Sequence, residues 1–159
     1  MLALRHPLTV APVPAMHYRL LPAPLKPLAD KFYRSQHSAM RATAGAQLWV
    51  AEDREIVAAL CLQQVAHGHW LTSLLVDSTQ RGQGVARRLI EAALADCAAP
   101  VWLFCHPQLS DFYLRLGFAP CTELPQPLAE RLARYQRSKS LQAFFRAPCP
   151  SLTAQGLEP

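Results

Sequence analysis

Several things are missing from this chain. It has no pair of cysteines at CxxC spacing, no lysine between Lys31 and Lys139, no internal repeat and no low-complexity tract. No apolar stretch approaches the ~20 residues of a membrane span. Each absence excludes something. A GxxxxGK phosphate loop needs a lysine that the middle of the chain does not supply. The cysteines Cys61, Cys97, Cys105, Cys121 and Cys149 are odd in number, and three of them sit in apolar runs. They read as reduced core thiols of a cytoplasmic protein rather than as a disulfide framework. Pro7, Pro12 and Pro14 interrupt any apolar region that a secretory signal would need. Residues 1–15 are therefore expected to be an arm that is a poor helix and a poor strand.

What is present fits one domain. The 159 residues are enough to bury a real core and too few for two ordinary domains. We expect a single domain over 16–147 and a tail over 148–159. Lys and Arg number 16 against 11 Asp and Glu, a net charge of +5 spread along the chain. That balance suits an anionic ligand and is too dispersed to indicate nucleic acid. The basic helix expected over Arg131 to Lys139 reads first as a solvated face. His67 and His69 flank Gly68, but no third ligand lies near them, so a turn is expected there and no metal site.

Periodicity places the elements. HYRLLP alternates as a short strand, and LKPLADKFYRSQHSAM, with Leu25, Leu28, Phe32 and Met40 on helical spacings, predicts a helix. AQLWVAED and EIVAALCLQQVAHG predict a hairpin turning at Glu52, Asp53 and Arg54. HWLTSLLVD is a further strand that runs into a glycine loop. Val85, Ala86, Leu89, Ile90, Ala93, Leu94 and Cys97 then predict a helix of about four turns, stopped by Pro100. VWLFC reads as a strand buried on both faces, and strand, helix and strand in that order predict a parallel pair. SDFYLRLGF predicts a short helix with Ser110 as its cap and Gly117 as its end. FAPCTE, PLAERLARYQRS and LQAFFRA predict a strand, a basic amphipathic helix and a last strand.

The loop RGQGVA, Arg81 to Ala86, joins a strand to a helix start, an arrangement that holds phosphates on unpaired N–H groups. A dinucleotide fingerprint is excluded, because Arg87 stands where its third glycine belongs and an antiparallel hairpin precedes the unit. Gly82 and Gly84 let the main chain approach a ligand, and small Ala86 lets the first helical turn sit close.

With these residues the chain resembles the GNAT superfamily of acyl-CoA N-acyltransferases. Arg81, Gly84 and Ala86 fill the family's acetyl-CoA loop pattern. LLVD precedes the loop as it does there, and FYLRLGF, Phe112 to Phe118, matches the family's Tyr-x-x-x-Gly-Phe element at the usual separation. The resemblance implies an α/β (α+β) fold: a mixed, mostly antiparallel sheet with a central parallel pair splayed at the acetyl-CoA site and helices on both faces. It implies an N-acetyltransferase using acetyl-CoA as co-substrate, with no metal, on a primary amine of a small molecule or a protein or peptide. A homodimer is left open.

The resemblance also assigns residues. The loop Arg81, Gly82, Gln83, Gly84, Val85, Ala86 with Arg87 would bind the pyrophosphate of CoA, and the main chain of Leu74, Leu75 and Val76 its pantetheine arm. His106 stands where many members carry an asparagine that contacts CoA. Tyr113 would protonate the leaving thiolate, since a tyrosine of pKa about 10 keeps its proton at neutral pH; the other reading of Tyr113 is a core aromatic. Strand alternation puts Trp70, Thr72 and Leu74 on the face of Val76, and none of these can act as a base. Two alternatives stay open. A base such as Glu52, His69 or His106 could work through water, or the amine could supply its own free form. A lysine of pKa about 10.4 is under ~0.1 % free at pH 7, whereas an α-amino group is free at about ten per cent, which favours the second kind of amine. The missing base also motivates a competing class, a non-catalytic module that binds acetyl-CoA as a sensor or scaffold.

Overall fold

The computed structural model describes residues 16–148. The expected N-terminal arm, the tail beyond residue 148 and Cys149 lie outside the described residues. Seven strands form one sheet: β1 (His17–Leu21), β2 (Gln47–Asp53), β3 (Glu55–Val65), β4 (Gly68–Val76), β5 (Val101–Cys105), β6 (Ala119–Pro120) and β7 (Gln142–Arg146). Their order is β1-β2-β3-β4-β5-β7-β6. Every pair is antiparallel except β4 with β5. The helices are α1 (Lys26–Ser35), α2 (Val85–Leu94), α3 (Ser110–Arg115) and α4 (Gln126–Tyr135). Among the described residues no helix is long and apolar enough to cross a membrane.

The two faces of the sheet are buried by different helices. On one, Leu89 and Ile90 of α2 and Tyr113 of α3 pack with Ala58, Leu60, Leu62, Val101, Leu103 and Phe144. On the other, Ala29, Phe32 and Tyr33 of α1 pack with Val50, Ala59 and Cys61. Further along that second face Leu128 of α4 covers Trp70 and Trp102. Alternate residues of β5 join opposite clusters, so VWLFC is buried on both faces as its composition implies. Leu89 is fully buried, and truncating such a residue to alanine costs about 2–5 kcal/mol.

Several local expectations need correction. The buried face of α1 is Ala29, Phe32 and Tyr33, while Leu25, Leu28 and Met40 are exposed. A 3-10 turn at Ala23–Leu25 delays the helix, which ends at Ser35, before Met40 is reached. The hairpin turns on Arg54 alone, at φ 67°, and Glu52 and Asp53 are strand residues. α2 stops at Leu94, well before Pro100, and the main chain of Cys97 closes a turn onto the Leu94 carbonyl at 3.1 Å. An acidic Asp96 at that end opposes the helix dipole. Ser110 is not a cap. A 3-10 turn at Pro107–Leu109 feeds straight into α3, Ser110 N–H bonds Pro107 O, and the Ser110 hydroxyl meets the Gln142 amide. Gly117 does end α3, at φ 91°, with Phe118 N–H reaching back to Tyr113 O at 3.1 Å. Only Ala119 and Pro120 of FAPCTE pair as strand.

Candidate active site

The parallel pair is short. β4 meets β5 at His69↔Val101 and Trp70↔Trp102 only, so among the described residues that edge of β4 has no strand partner beyond Trp70. The splay implied by the resemblance is thus present, and it leaves an extended main chain without a strand partner, as an extended ligand would need.

β4 also bends within the splay. Its register with β3 slips between Ala59↔Leu75 and Cys61↔Thr72. Ser73 sits there with φ 55°, the mark of a β-bulge that re-aims side chains. The alternation assumed above therefore breaks. Leu74 and Val76 pack toward α2 and α3, whereas Trp70 packs with the α4 cluster on the opposite face. Thr72 pairs with Cys61, which belongs to that opposite face. Trp70 and Thr72 do not share a face with Val76, as uninterrupted alternation would require. The bulge is tied down by Tyr33, whose hydroxyl donates to the Ser73 carbonyl at 2.7 Å.

After β4 the loop is held by its own side chains. Asp77 accepts from Thr79 N–H at 2.9 Å and Thr79 hydroxyl at 2.8 Å. These bonds hold its carboxyl below the usual range. Arg81 Nε donates to the Val76 carbonyl at 3.2 Å. Gly82 and Gly84 take φ of 77° and 80°, a left-handed conformation that costs other residues about 1–2 kcal/mol. Gly84 is the N-cap of α2 and brings no capping side chain. The first N–H groups of α2 have no partner within the helix, so the loop and helix start form a ready anion site.

Three depressions surround these elements. One, of about 260 Å³, is lined by Arg81, Gly82, Gly84, Val85, Ala86 and Arg87, with Val76 and Phe112. It runs into a second of about 370 Å³, where Leu74, Leu75 and Val76 face Leu109, Phe112 and Tyr113. The two share Val76, Arg81, Ala86 and Phe112. The third, about 380 Å³, holds Trp70, Thr72, Ser73 and Phe104 of the splayed strands and Arg131 and Tyr135 of α4. A larger hollow of about 610 Å³ by His67, Trp102 and Cys121 lies at the opposite end of the parallel pair, away from the loop.

The structure brings most of the expected residues together. Leu74, Leu75, Val76, Arg81, Gly82, Gly84, Val85, Ala86, Arg87 and Tyr113 all line the two joined depressions. Gln83 and His106 are exposed and line neither of them. Arg87 also pairs with Glu91 at 2.9 Å. Of the base candidates, Glu52 is ion-paired to Arg19 at 2.9 Å and lines a separate hollow beside α1. His69 lies outside the third depression, with its Nδ1 buried and without a partner among the described residues. Among the described residues no three His, Cys, Asp or Glu side chains cluster as a metal site would.

Tyr113 is 5 % exposed and packs edge-on to Phe112 and Phe118, with ring centroids 4.9 and 5.8 Å away. Burial first, and then nearby Cys105, hold its hydroxyl well above the ordinary tyrosine value. Burial likewise pushes the Cys105 thiol up to about 11. Three further contributors have no role assigned to them from the sequence. Phe112 adjoins Tyr113 in FYLRLGF, and exposed Leu109 is an apolar residue beside a polar loop; both were findable. Tyr33 was not, because its partner lies forty residues away.

Residues 44–120 match the family model described as an acetyltransferase (GNAT) domain. No curated protein matches the sequence. Among solved structures, the ribosomal-protein-S18-alanine N-acetyltransferase from Escherichia coli is 17 % identical, with a TM-score of 0.61, over 91 % of this chain and 100 % of that one. An acyl-CoA N-acyltransferase from Pseudomonas aeruginosa is 20 % identical, with a TM-score of 0.58, over 84 % and 100 %. N-acetylglutamate synthase from Neisseria gonorrhoeae, complexed with coenzyme A and L-arginine, is 14 % identical with a TM-score of 0.62, over 84 % of this chain and 33 % of that one. At these identities the likeness is one of fold. The matched segment runs from the approach to β2 through β6 and contains both RGQGVA and FYLRLGF. Over residues 44–120, then, the chain carries a GNAT acetyltransferase domain.

Proposed function

We propose that the protein is an N-acetyltransferase that moves the acetyl group of acetyl-CoA to a primary amine within a ternary complex. One observation carries the reading: the loop-side depressions and the α4-side depression meet at consecutive residues of β4, Leu74 on one and Ser73 on the other. A donor and an acceptor bound in the two would meet at the splay.

The residues divide the work as follows. The main chain of Gly82 to Arg87 and the dipole of α2 hold the CoA diphosphate. The edge of β4 that lacks a strand partner, at Leu74, Leu75 and Val76, holds the pantetheine arm. The amine nitrogen attacks the thioester carbonyl, and a main-chain N–H of β4 steadies the oxyanion. The carbon–sulfur bond breaks as the tetrahedral intermediate collapses. The departing thiolate takes a proton from Tyr113, whose burial keeps that proton in place until negative charge develops on sulfur. The nitrogen gives its surplus proton to water. The free thiols of Cys61, Cys97, Cys105 and Cys121 support a reducing, cytoplasmic setting.

A second reading, a module that binds acetyl-CoA without turning it over, is favoured because, among the described residues, no Asp, Glu or His lines the α4-side depression. One experiment separates them. The protein is incubated with acetyl-CoA and a panel of primary amines, and free thiol and acetylated amine are followed together. Equal release of both supports the transferase. Tight binding of acetyl-CoA with neither product supports the module, and no binding overturns both.

A further inference from the structure

The α4-side depression has a charge pattern that the transfer chemistry alone does not require. Arg131, Tyr135 and Lys139 lie four residues apart along α4 and the turn after it, and all three line the cavity. Arg131 Cζ stands 4.7 Å from the centroid of the Trp70 ring. Lys139 Nζ stands 5.6 Å from that of Tyr135. Neither cation makes an ion pair among the described residues, where the pairs are Arg19–Glu52, Lys26–Asp30 and Arg87–Glu91. Among the described residues no acidic side chain lines the cavity. Two cations thus stand beside aromatic rings in a hollow whose described lining carries no counter-charge, which concentrates positive potential inside it.

A bare alkylammonium would be repelled by such a hollow. From this, and resting on the transferase reading above, we infer that the acceptor is an amine that also bears a carboxylate, which Arg131 binds through its planar fork with Lys139 as a second cation. A guanidinium matches a carboxylate in two parallel hydrogen bonds, and a group so anchored on α4 leaves the rest of the acceptor to reach across Thr72 and Ser73 toward the splay. The volume, about 380 Å³, lies in the range of small-molecule pockets. The carboxylate can come from a free amino acid or from an acidic residue near the free amino end of a peptide.

Calorimetric titration of the whole chain, saturated with CoA, tests this with two sets of probes. One set is the L-amino acids against their carboxamides. The other is short C-terminally amidated peptides with Asp or Glu at the second position against the same peptides with Asn or Gln. At least one acid should bind about tenfold or more tightly than its amide, and the set in which it occurs identifies the source of the carboxylate. Arg131→Met keeps the stem over Trp70 and should erase that preference, while Arg131→Lys restores part of it. The inference is overturned if every amide binds as well as its acid, if Arg131→Met leaves the preference intact, or if no acid of either set binds at millimolar concentration. Acid-selective binding without thiol release when acetyl-CoA replaces CoA would sustain the carboxylate site and reject the transferase reading. Thiol release that ignores the carboxylate would do the reverse.

Discussion

The hydroxyl of Tyr33 on α1 donates a 2.7 Å hydrogen bond to the main-chain carbonyl of Ser73, forty residues on in the chain, at the bulge of β4. That bulge turns Leu74 and Val76 toward the loop-side depressions and leaves Trp70 and Thr72 on the α4 side. One strand therefore lines depressions on both sides of the sheet, and α1 braces the residue where they meet.

Tyr33→Phe keeps the packing of a side chain that is 1 % exposed and leaves the Ser73 carbonyl without its donor. Losing one partner of a buried hydrogen bond costs about 1–3 kcal/mol, which a denaturant melt at neutral pH will read. The same phenol sets a pH dependence. Burial, chiefly, holds its pKa far above the ordinary 10.0. Below that value the group is protonated in folded and unfolded chains alike, and its contribution to stability is fully present. Above it the unfolded chain loses the proton while the folded chain retains it, so stability falls as pH rises. Melts from pH 9 upward should decline less steeply in Tyr33→Phe than in the wild type, and equal slopes would contradict the assignment.

Gly84→Val must place a β-branched residue at φ 80°, at a cost of about 1–2 kcal/mol, and it crowds the anion site. The variant should remain folded at room temperature, melt at a lower temperature, and lose the stabilisation that acetyl-CoA confers on the wild type. A CoA-induced melting shift equal to the wild type's would mean that the loop serves another ligand.

How far the sequence discloses this site depends on the range of the interactions involved. The loop and FYLRLGF are local: glycines at positive φ, a helix start and an aromatic beside a Gly-ended helix all leave marks within a few residues. The bulge leaves none, because Ser73 is neither Gly nor Pro and its φ is supported by Tyr33 from another element. Alternation therefore assigns Trp70 and Thr72 to the wrong face. The amphipathic pattern of α1 misleads in a similar way. Leu25 and Leu28 are apolar but exposed, and Tyr33, the residue that touches the site, reads as an unremarked aromatic. Arg131 and Lys139 read as a solvated face until the fold sets them over Trp70 and Tyr135.

Cys105 is 3 % exposed and its thiol is pushed up to about 11, so at neutral pH it is a poor nucleophile. Cys105→Ala should retain turnover within a few-fold. A variant that kept CoA affinity but lost turnover would point instead to an acetyl-cysteine intermediate, which mass spectrometry of the wild type would detect.

If the amine enters in its free form, the rate should rise with pH through the substrate's own pKa, and the rise should fall at lower pH for an α-amino acceptor than for an ε-amino one. Rate profiles for the two acceptors decide this. An inflection at one pH for both would reveal an enzyme base, and persistence of that inflection in Glu52→Ala and His106→Ala would clear those two residues.

The account turns on a buried phenol acting on a thioester held between α3 and β4. Tyr113→Phe keeps the ring among Phe112, Phe118 and Phe144 and removes only the proton, so turnover and acetyl-CoA affinity of wild type and variant should be measured side by side. The account predicts an unchanged dissociation constant and a rate lower by about 10² to 10⁴. An unchanged rate, or a loss of affinity as large as the loss of rate, would contradict it.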